Sequence, residues 1–265
     1  MSPSKAEIHS SQYRVGSVAR ALILVEIIAH SSDQGITLTE ITKEIEGSKS
    51  TIYALLRTLI EFGYVRTIDP GPRYLPGIAL MRLGDLAEMH HPIGQIANPI
   101  MQSLCKATDL TIRLAINDRG RPIFVVRIDA PGVVRFYTPL GNIEPPHVSS
   151  AGKAILAQLK PEDVMRVIRG SGLTARTKNT HTSLKSLNLD LELTRKRGYA
   201  IDDGEDVEGV ICIGSAFFDH TGQCAGALSA TALKINLSHK EIDRLGNLVR
   251  EHARRLSREL GAPLR

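Results

Sequence analysis

The chain has no tryptophan, and aromatic residues make up only 4% of it. Its cores must therefore be built mainly from Leu, Ile, Val and Ala. The three cysteines, Cys105, Cys212 and Cys224, are odd in number and widely spaced, which fits reduced thiols in a cytosol better than a disulfide framework. No apolar run approaches the roughly 20 residues needed to cross a bilayer. The stretch Met1 to Tyr13 is polar and lacks the apolar middle of a secretory signal. These absences imply a cytoplasmic protein. No pair of His or Cys residues has the spacing of a structural zinc site. Ser150-Ala151-Gly152-Lys153-Ala154 lacks the earlier Gly and the Ser/Thr after Lys that a phosphate loop needs. Neither a metal nor a cofactor is expected.

What is present is ample core material: 42% of the 265 residues are hydrophobic and 23% charged, a balance that argues against disorder and for one or two domains. The net charge of +5 suits a polyanionic partner but does not locate it. Acids and bases cancel within residues 1–75, and part of the excess sits in an Arg-rich final helix (Arg250, Arg254, Arg255, Arg258), which by itself reads as a solvated face.

In the first 76 residues the pattern is three short helices and a hairpin. Ser17 is a plausible N-cap for a helix whose apolar stripe is Val18, Leu22, Val25 and Ala29. Ile36-Thr37-Leu38 is a short extended piece, and Thr39 can cap a second helix bearing Ile41 and Ile45. Ser48 can cap a third helix running to Phe62, with Gly63 as its stop. Tyr64 to Ile68, the turn Asp69-Pro70-Gly71-Pro72 and Arg73-Tyr74-Leu75 then form a hairpin. A connector helix is expected from Gly77 to Met89. Beyond it, helices at 93–108, 149–159, 161–169, 183–197 and 238–260 alternate with strands at 111–116, 122–128, 133–137, 199–202, 210–218 and 225–231. Hairpin turns at Asn117–Gly120 and Asp219–Gly222 imply an α+β domain with a mainly antiparallel sheet.

The third helix carries the chemistry of the N-terminal part. Ile52, Leu55, Leu56, Leu59 and Ile60 form a buried stripe. Lys49, Ser50, Tyr53, Ala54 and Arg57 lie opposite, behind the cluster Ser48-Lys49-Ser50-Thr51. Free N–H groups at a helix start attract phosphate, and short hydroxyls let the backbone approach. A capped amphipathic helix alone would serve equally in a domain that binds no DNA. Preceded by a short helix and a tight turn, and followed by a hairpin with Arg66 and Arg73, it has the form of a helix-turn-helix that enters the major groove. The hairpin then reads as a wing.

Ser17-Val18-Ala19-Arg20-Ala21-Leu22, Leu38-Thr39-Glu40-Ile41, Ser48-Lys49-Ser50-Thr51 and Gly63-Tyr64-Val65, followed by Ser150 to Ala157, Arg197 to Asp203, Gly209 to Ile213 and Ala227 to Thr231, resemble the isocitrate lyase regulator (IclR) family. The likeness covers about residues 16 to 260. It implies a flexible N-terminus (1–15), a winged helix-turn-helix domain (16–76), a linker helix used in dimerisation (77–92) and a GAF-like effector-binding domain (93–265). It also implies dimers or tetramers on double-stranded operator DNA. Arg20 and Thr39 join Ser48, Lys49, Ser50, Thr51, Tyr53, Arg57, Arg66 and Arg73 as expected DNA contacts. Three departures bear on operator choice: Glu46-Gly47 stands where the family has Gly and then an apolar residue, and Ala54 where it often has Arg.

In the larger domain Ser149 can cap the helix containing Ala151-Gly152-Lys153, and such a start can seat a carboxylate. Cys212, Gly214 and Ala216 share one strand face, as do Ser229 and Thr231. Asp202 ends the preceding strand. The resemblance implies that Ala151, Asp202, Cys212, Ser229 and Thr231 line an effector pocket, that Ser150 narrows it or adds a hydroxyl, and that Val133 and Phe136 form apolar walls. A small organic or hydroxy acid is the expected effector of this ligand-responsive repressor or activator. Two other readings stay open: an enzyme using Cys212 or the Asp202/Asp203 pair, and an effector-independent DNA-binding protein. The acidic run Asp202-Asp203-Gly204-Glu205-Asp206 otherwise reads as a solvated loop.

Overall fold

A computed structural model describes residues 15–69, 71–90, 93–131, 136 and 139–263. Contacts divide the chain into two units, Met1–His91 and Pro92–Arg265.

In the first unit, α1 (Gly16–Ala29), α2 (Leu38–Glu44) and α3 (Lys49–Glu61) pack on a three-stranded antiparallel sheet. The sheet is formed by β1 (Ile36–Thr37), β2 (Val65–Ile68) and β3 (Arg73–Pro76), in the order β1-β3-β2. The expected hairpin thus gains a third strand from the extended piece before α2. Two caps differ from expectation. Helix α1 starts at Gly16 behind Val15, without a side-chain cap, so Ser17 lies inside the helix. Thr37, not Thr39, caps α2: its hydroxyl accepts from the Glu40 N–H while the Glu40 carboxylate accepts from the Thr37 N–H. This reciprocal box satisfies two helix-end donors at once, which Thr39 could not do from inside the first turn.

The core of this unit is Leu24, Ile27, Ile28, Ile36, Ile41, Ile52, Leu56, Val65 and Tyr74. Helix α1 therefore buries Leu24, Ile27 and Ile28, whereas Val18 and Leu22 of the expected stripe stand out at 56% and 64% exposure. The helix is apolar on more than one side. Packing selected the side that periodicity did not. The next helix, α4 (Ile78–His90), begins against the sheet, where Gly77 N–H donates to Tyr64 O and Ala79 N–H to Gly63 O. It then exposes Ile78, Met81, Leu83 and Leu86.

The second unit is built on a five-stranded antiparallel sheet of order β5-β4-β8-β7-β6: β4 (Thr111–Asp118), β5 (Arg121–Ile128), β6 (Ala200–Asp203), β7 (Val210–Phe218) and β8 (Cys224–Leu233). Its helices are α5 (Ile93–Thr108), α6 (Ser150–Leu156), α7 (Pro161–Ser171), α8 (Leu184–Arg197) and α9 (His239–Glu259). Period-two alternation divides the sheet. Ile112, Leu114, Ile213, Phe217, Leu228 and Ala230 form the main core with α5 and α9. Ala115, Phe124, Ala200 and Ala227 on the opposite face pack with Ala151, Ala154 and Ile155 of α6. Of the strand expected at 133–137, residues 133–135 and 137 lie outside the described residues, and Phe136 is half-buried without regular structure.

Candidate functional site

The α6-facing side of the sheet holds two rows of directly opposed residues. One runs Arg113, Ser229, Gly214, Ala200; the next runs Thr111, Thr231, Cys212, Asp202. All eight are buried. Ser149 caps α6 by accepting from the Gly152 N–H. The first turn of α6 then rests on the first row, because a Cβ at Gly214 would lie only 2.7 Å from Ser150 C and 3.0 Å from Ala151 N. The structure therefore gathers Ser150, Ala151, Asp202, Cys212, Ser229 and Thr231 over one patch of sheet. Val133 lies outside the described residues.

The patch is polar and buried. Ser150 Oγ and Ser229 Oγ are buried with no hydrogen-bond partner, and such groups are uncommon unless a ligand or water completes them. His147, also buried, has Nε2 3.1 Å from Thr174 O; if that nitrogen carries the proton, the unpartnered Nδ1 is an acceptor. Asp202 Oδ1 accepts from the Glu205 and Asp206 N–H groups. Even so, burial pushes its carboxyl up to about 6. Cys212 Sγ lies 3.4 Å from Thr231 Oγ1, and burial, with the nearby Asp202 charge, pushes this thiol up to about 12. A thiol so displaced stays protonated near neutrality, a state that disfavours it as a nucleophile.

Sequence reasoning missed the charges of this region. Arg113 is buried with its guanidinium 4.3 Å from the Phe124 ring centroid, 3.2 Å from Glu144 Oε1 and 3.9 Å from Cys212 Sγ. Burial raises the Glu144 carboxyl against the opposing pull of Arg113. A signal existed: Arg113 alternates with Ile112 and Leu114, so it had to share a face with Thr111 and Ala115.

Lys153 gave no such signal. Its side chain is completely buried, and its ammonium donates to Glu205 Oε1 at 2.6 Å, to Oε2 at 2.7 Å and to Ile201 O at 2.5 Å, with Asp190 Oδ2 at 2.7 Å. Burial raises the Glu205 carboxyl and lowers the His181 imidazole. The oxygen and nitrogen atoms of His181, Asp190 and Glu205 converge within 4.8 Å, but the ammonium already supplies the positive charge a metal would bring. The acidic run is thus no solvated loop: Asp202 and Glu205 are both buried.

In the first unit, Ser48 caps α3 by accepting from the Thr51 N–H, and its hydroxyl also meets those of Ser50 and Thr51 at 2.9 and 2.8 Å. Lys49, Ser50, Thr51, Tyr53 and Arg57 are exposed on α3, as are Thr39 on α2 and Arg66 on β2. Arg20 is half-buried, with Nε donating to Gly16 O and Nη1 beside Gly47. Gly47 has φ +150, and a Cβ there would touch Ile52 at 3.7 Å. Glycine therefore removes one contact with the core. Arg73 ties the wing to the domain, donating from Nε to Gln34 O and from Nη2 to Gly35 O, both at 2.9 Å.

Known proteins share this domain order and fold. The family model of the bacterial transcriptional regulator IclR C-terminal domain matches residues 87–258, and that of the IclR helix-turn-helix domain matches residues 17–69. The chain is 30% identical over 250 residues to the transcriptional repressor IclR of Escherichia coli, covering 94% of this chain and 91% of the relative. It is 28% identical over 259 residues to the HTH-type transcriptional repressor AllR of Escherichia coli, covering 98% and 95%. An IclR transcriptional regulator from Alicyclobacillus acidocaldarius superposes with TM-score 0.83 at 26% identity, over 94% of this chain and all of the other. An IclR homolog from Microbacterium hydrocarbonoxydans, solved in complex with 4-hydroxybenzoate, shares the fold with TM-score 0.78 at 21% identity, over 92% and 98%.

Proposed function

The chain belongs to the IclR family of bacterial transcriptional regulators, and from that premise we propose that the sheet face under α6 binds a small organic or hydroxy acid that controls the hold of α3 on operator DNA. The observation that carries this reading is the pair of unpartnered buried hydroxyls, Ser150 Oγ and Ser229 Oγ, on a patch whose formal positive charge comes from Arg113. Helix α6 has seven residues, too short a stack of dipoles to neutralise a carboxylate by itself. Arg113, which also pairs with Glu144 at 3.2 Å, adds a cation on the same sheet face. Asp202, Thr231 and His147 can serve ligand hydroxyls. A fold relative is complexed with 4-hydroxybenzoate, itself a hydroxy acid.

DNA is read by Lys49, Ser50, Tyr53 and Arg57, with Ser48 and Thr51 shaping the start of α3, Arg20 and Thr39 flanking it and Arg66 on the wing. Arg73 holds the wing in place. Glu46, Gly47 and Ala54 alter the operator preference. The exposed apolar residues Val18 and Leu22 on α1, with Ile78, Met81 and Leu86 on α4, favour a homodimer or homotetramer. No described helix is long and apolar enough to cross a membrane, and the protein acts in the cytosol as a regulator rather than an enzyme. Coupling of about 1–3 kcal/mol between effector and DNA sites is enough to change operator occupancy several-fold.

The test has two arms. The full chain is titrated calorimetrically with a panel of small hydroxy acids including 4-hydroxybenzoate. Any binder is then added to the protein on DNA from its own upstream region, at two salt concentrations with competitor present. The reading requires at least one acid to give heat and to change DNA retention. Heat from none, or retention indifferent to every binder, overturns it in favour of effector-independent DNA binding.

A further inference from the structure

We propose that the effector domain carries a second ligand site, separate from the face under α6, that binds a phosphate or phosphoryl dianion. Strand β6 pairs only with Ile211–Gly214 of β7, so β7 continues past it, and a cavity of about 190 Å³ opens beside that free edge. It is lined by residues including Gln158, Thr194 and Arg195, Ser215 of β7, and Arg250 and Arg254 of α9. None of these belongs to the effector patch, and the lining holds three guanidinium groups and no carboxylate.

Two of the arginines are held in place by the backbone. Arg195 Nε donates to Ala157 O at 2.7 Å, and Arg250 Nη1 donates to Arg197 O at 2.8 Å. The Arg250 stem lies so close over Gly198, in the left-handed region at φ +80, that a Cβ there would come within 2.6 Å of Arg250 Cδ. Each anchor occupies one N–H and leaves the rest of the fork. Neutralising the carbonyl ends of α6, at Ala157, and of α8, at Arg197, accounts for one N–H of each of these two cations, but for nothing else in the cavity. Arg254 forms no hydrogen bond or ion pair among the described residues. Thr194 is 2% exposed, and its Oγ1 is a buried hydroxyl without a partner. Arg195 and Arg254 are exposed and Arg250 is half-buried, so three like charges stand around one buried, unsatisfied hydroxyl, a combination suited to an anion.

The charge and shape select the ligand. Against three guanidinium groups a single carboxylate leaves two positive charges uncompensated, whereas a phosphate dianion leaves one and offers oxygens to several forks. A neighbouring groove of about 340 Å³ shares Arg250 and Arg254 and adds Asn247, Glu251 and Arg258. It offers room for the remainder of a phosphorylated metabolite, so the phosphate could be free or esterified.

The full-length protein is titrated with inorganic phosphate and with glycerol phosphate, each at ionic strength matched with chloride, with thermal shift and calorimetry as readouts. Saturable binding is expected, weakened about 10-fold or more in Arg254→Met, the loss typical of a hydrogen bond to a charged group. A smaller loss is expected in Thr194→Val. Met keeps the apolar stem, and Arg254 has no hydrogen-bond or ion-pair partner among the described residues to lose. Tighter binding of glycerol phosphate than of phosphate identifies an esterified ligand; equal binding identifies the free ion. Either supports the site. No saturable binding of either compound overturns it, as does affinity unchanged in Arg254→Met. If Arg254→Met instead weakens DNA retention or changes the oligomeric state while phosphate binding stays as in the wild type, the arginines serve a macromolecular contact and the proposal fails. Effector titrations are expected to be unchanged in Arg254→Met, and that control separates this site from the one under α6.

Discussion

Replacing Lys153 with Met tests whether the buried charge cluster is a structural centre. Met nearly matches the volume of Lys but removes the ammonium, leaving Asp190 and Glu205 facing each other at side-chain exposures of 15% and 6%. Breaking a buried pair by deleting one partner costs about 3–5 kcal/mol, because an uncompensated charge remains. For a unit of this size each kcal/mol shifts Tm by about 2–4 °C. Lys153→Met should therefore lower the Tm of the effector domain by roughly 6–20 °C at pH 8. The loss should shrink at pH 5, since burial already raises the Glu205 carboxyl and removal of Lys153 raises it further, so that the acid takes up a proton in place of the missing cation. Adding Glu205→Gln should recover part of the loss at pH 8. Thermal unfolding followed by circular dichroism at both pH values reads all three. A variant within about 2 °C of wild type at pH 8, or a loss equal at both pH values, would show that water rather than Lys153 balances these acids.

Other perturbations test the two functional surfaces. On α3, Lys49→Ala should weaken DNA binding about equally on all sequences and lower the salt slope by about 1, while Tyr53→Ala should cost roughly 1–3 kcal/mol and relax the operator preference. Competition binding at two salt concentrations separates the two patterns, and identical behaviour of the variants would refute the division of roles. Gly214→Val places atoms where Ser150 and Ala151 now sit, so calorimetry should find effector binding abolished with DNA binding retained; undiminished effector binding would remove α6 from the site. Asp202 ionises near its ordinary value when unfolded but at about 6 when folded. Its raised value makes the folded state relatively favoured below the ordinary carboxylate range, an advantage lost as pH rises through about 6. Asp202→Asn should therefore gain stability relative to wild type on going from pH 5 to pH 8, by on the order of 1–3 kcal/mol. Urea unfolding at the two pH values measures it, and a pH-independent difference would mean that Asp202 ionises freely.

Strand and helix order in both units was legible because turn chemistry and periodicity agree there: Asn117–Gly120 and Asp219–Gly222 join the strands they were expected to join. That Cys212, Ser229 and Thr231 share one sheet face was legible through period-two alternation, and family likeness added Asp202 and Ala151 to them. Other features were not. Thr37 and Thr39 are equally good caps by type, and only the position of Glu40 three residues after Thr37 decides between them. In α1 two apolar faces compete, and sequence spacing favoured the one left exposed. Lys153 lies in an alanine-rich helix where a lysine would ordinarily reach water; its burial depends on acids 37 and 52 residues away, Asp190 and Glu205.

The sequence by itself determined much of the local matter: the cap of α3 at Ser48, which strands are joined by tight turns, and the exposed polar face of α3. These depend on backbone preferences and on neighbours within a few residues. Only the tertiary structure decided which face of α1 is covered, that Arg113 and Lys153 are buried with their counterions, and that the Ser150 and Ser229 hydroxyls are buried without partners among the described residues. Those outcomes depend on strand register across four strands and on the close approach that Gly214 permits. Pairing between distant segments is a property of the packed chain, and no local pattern encodes it.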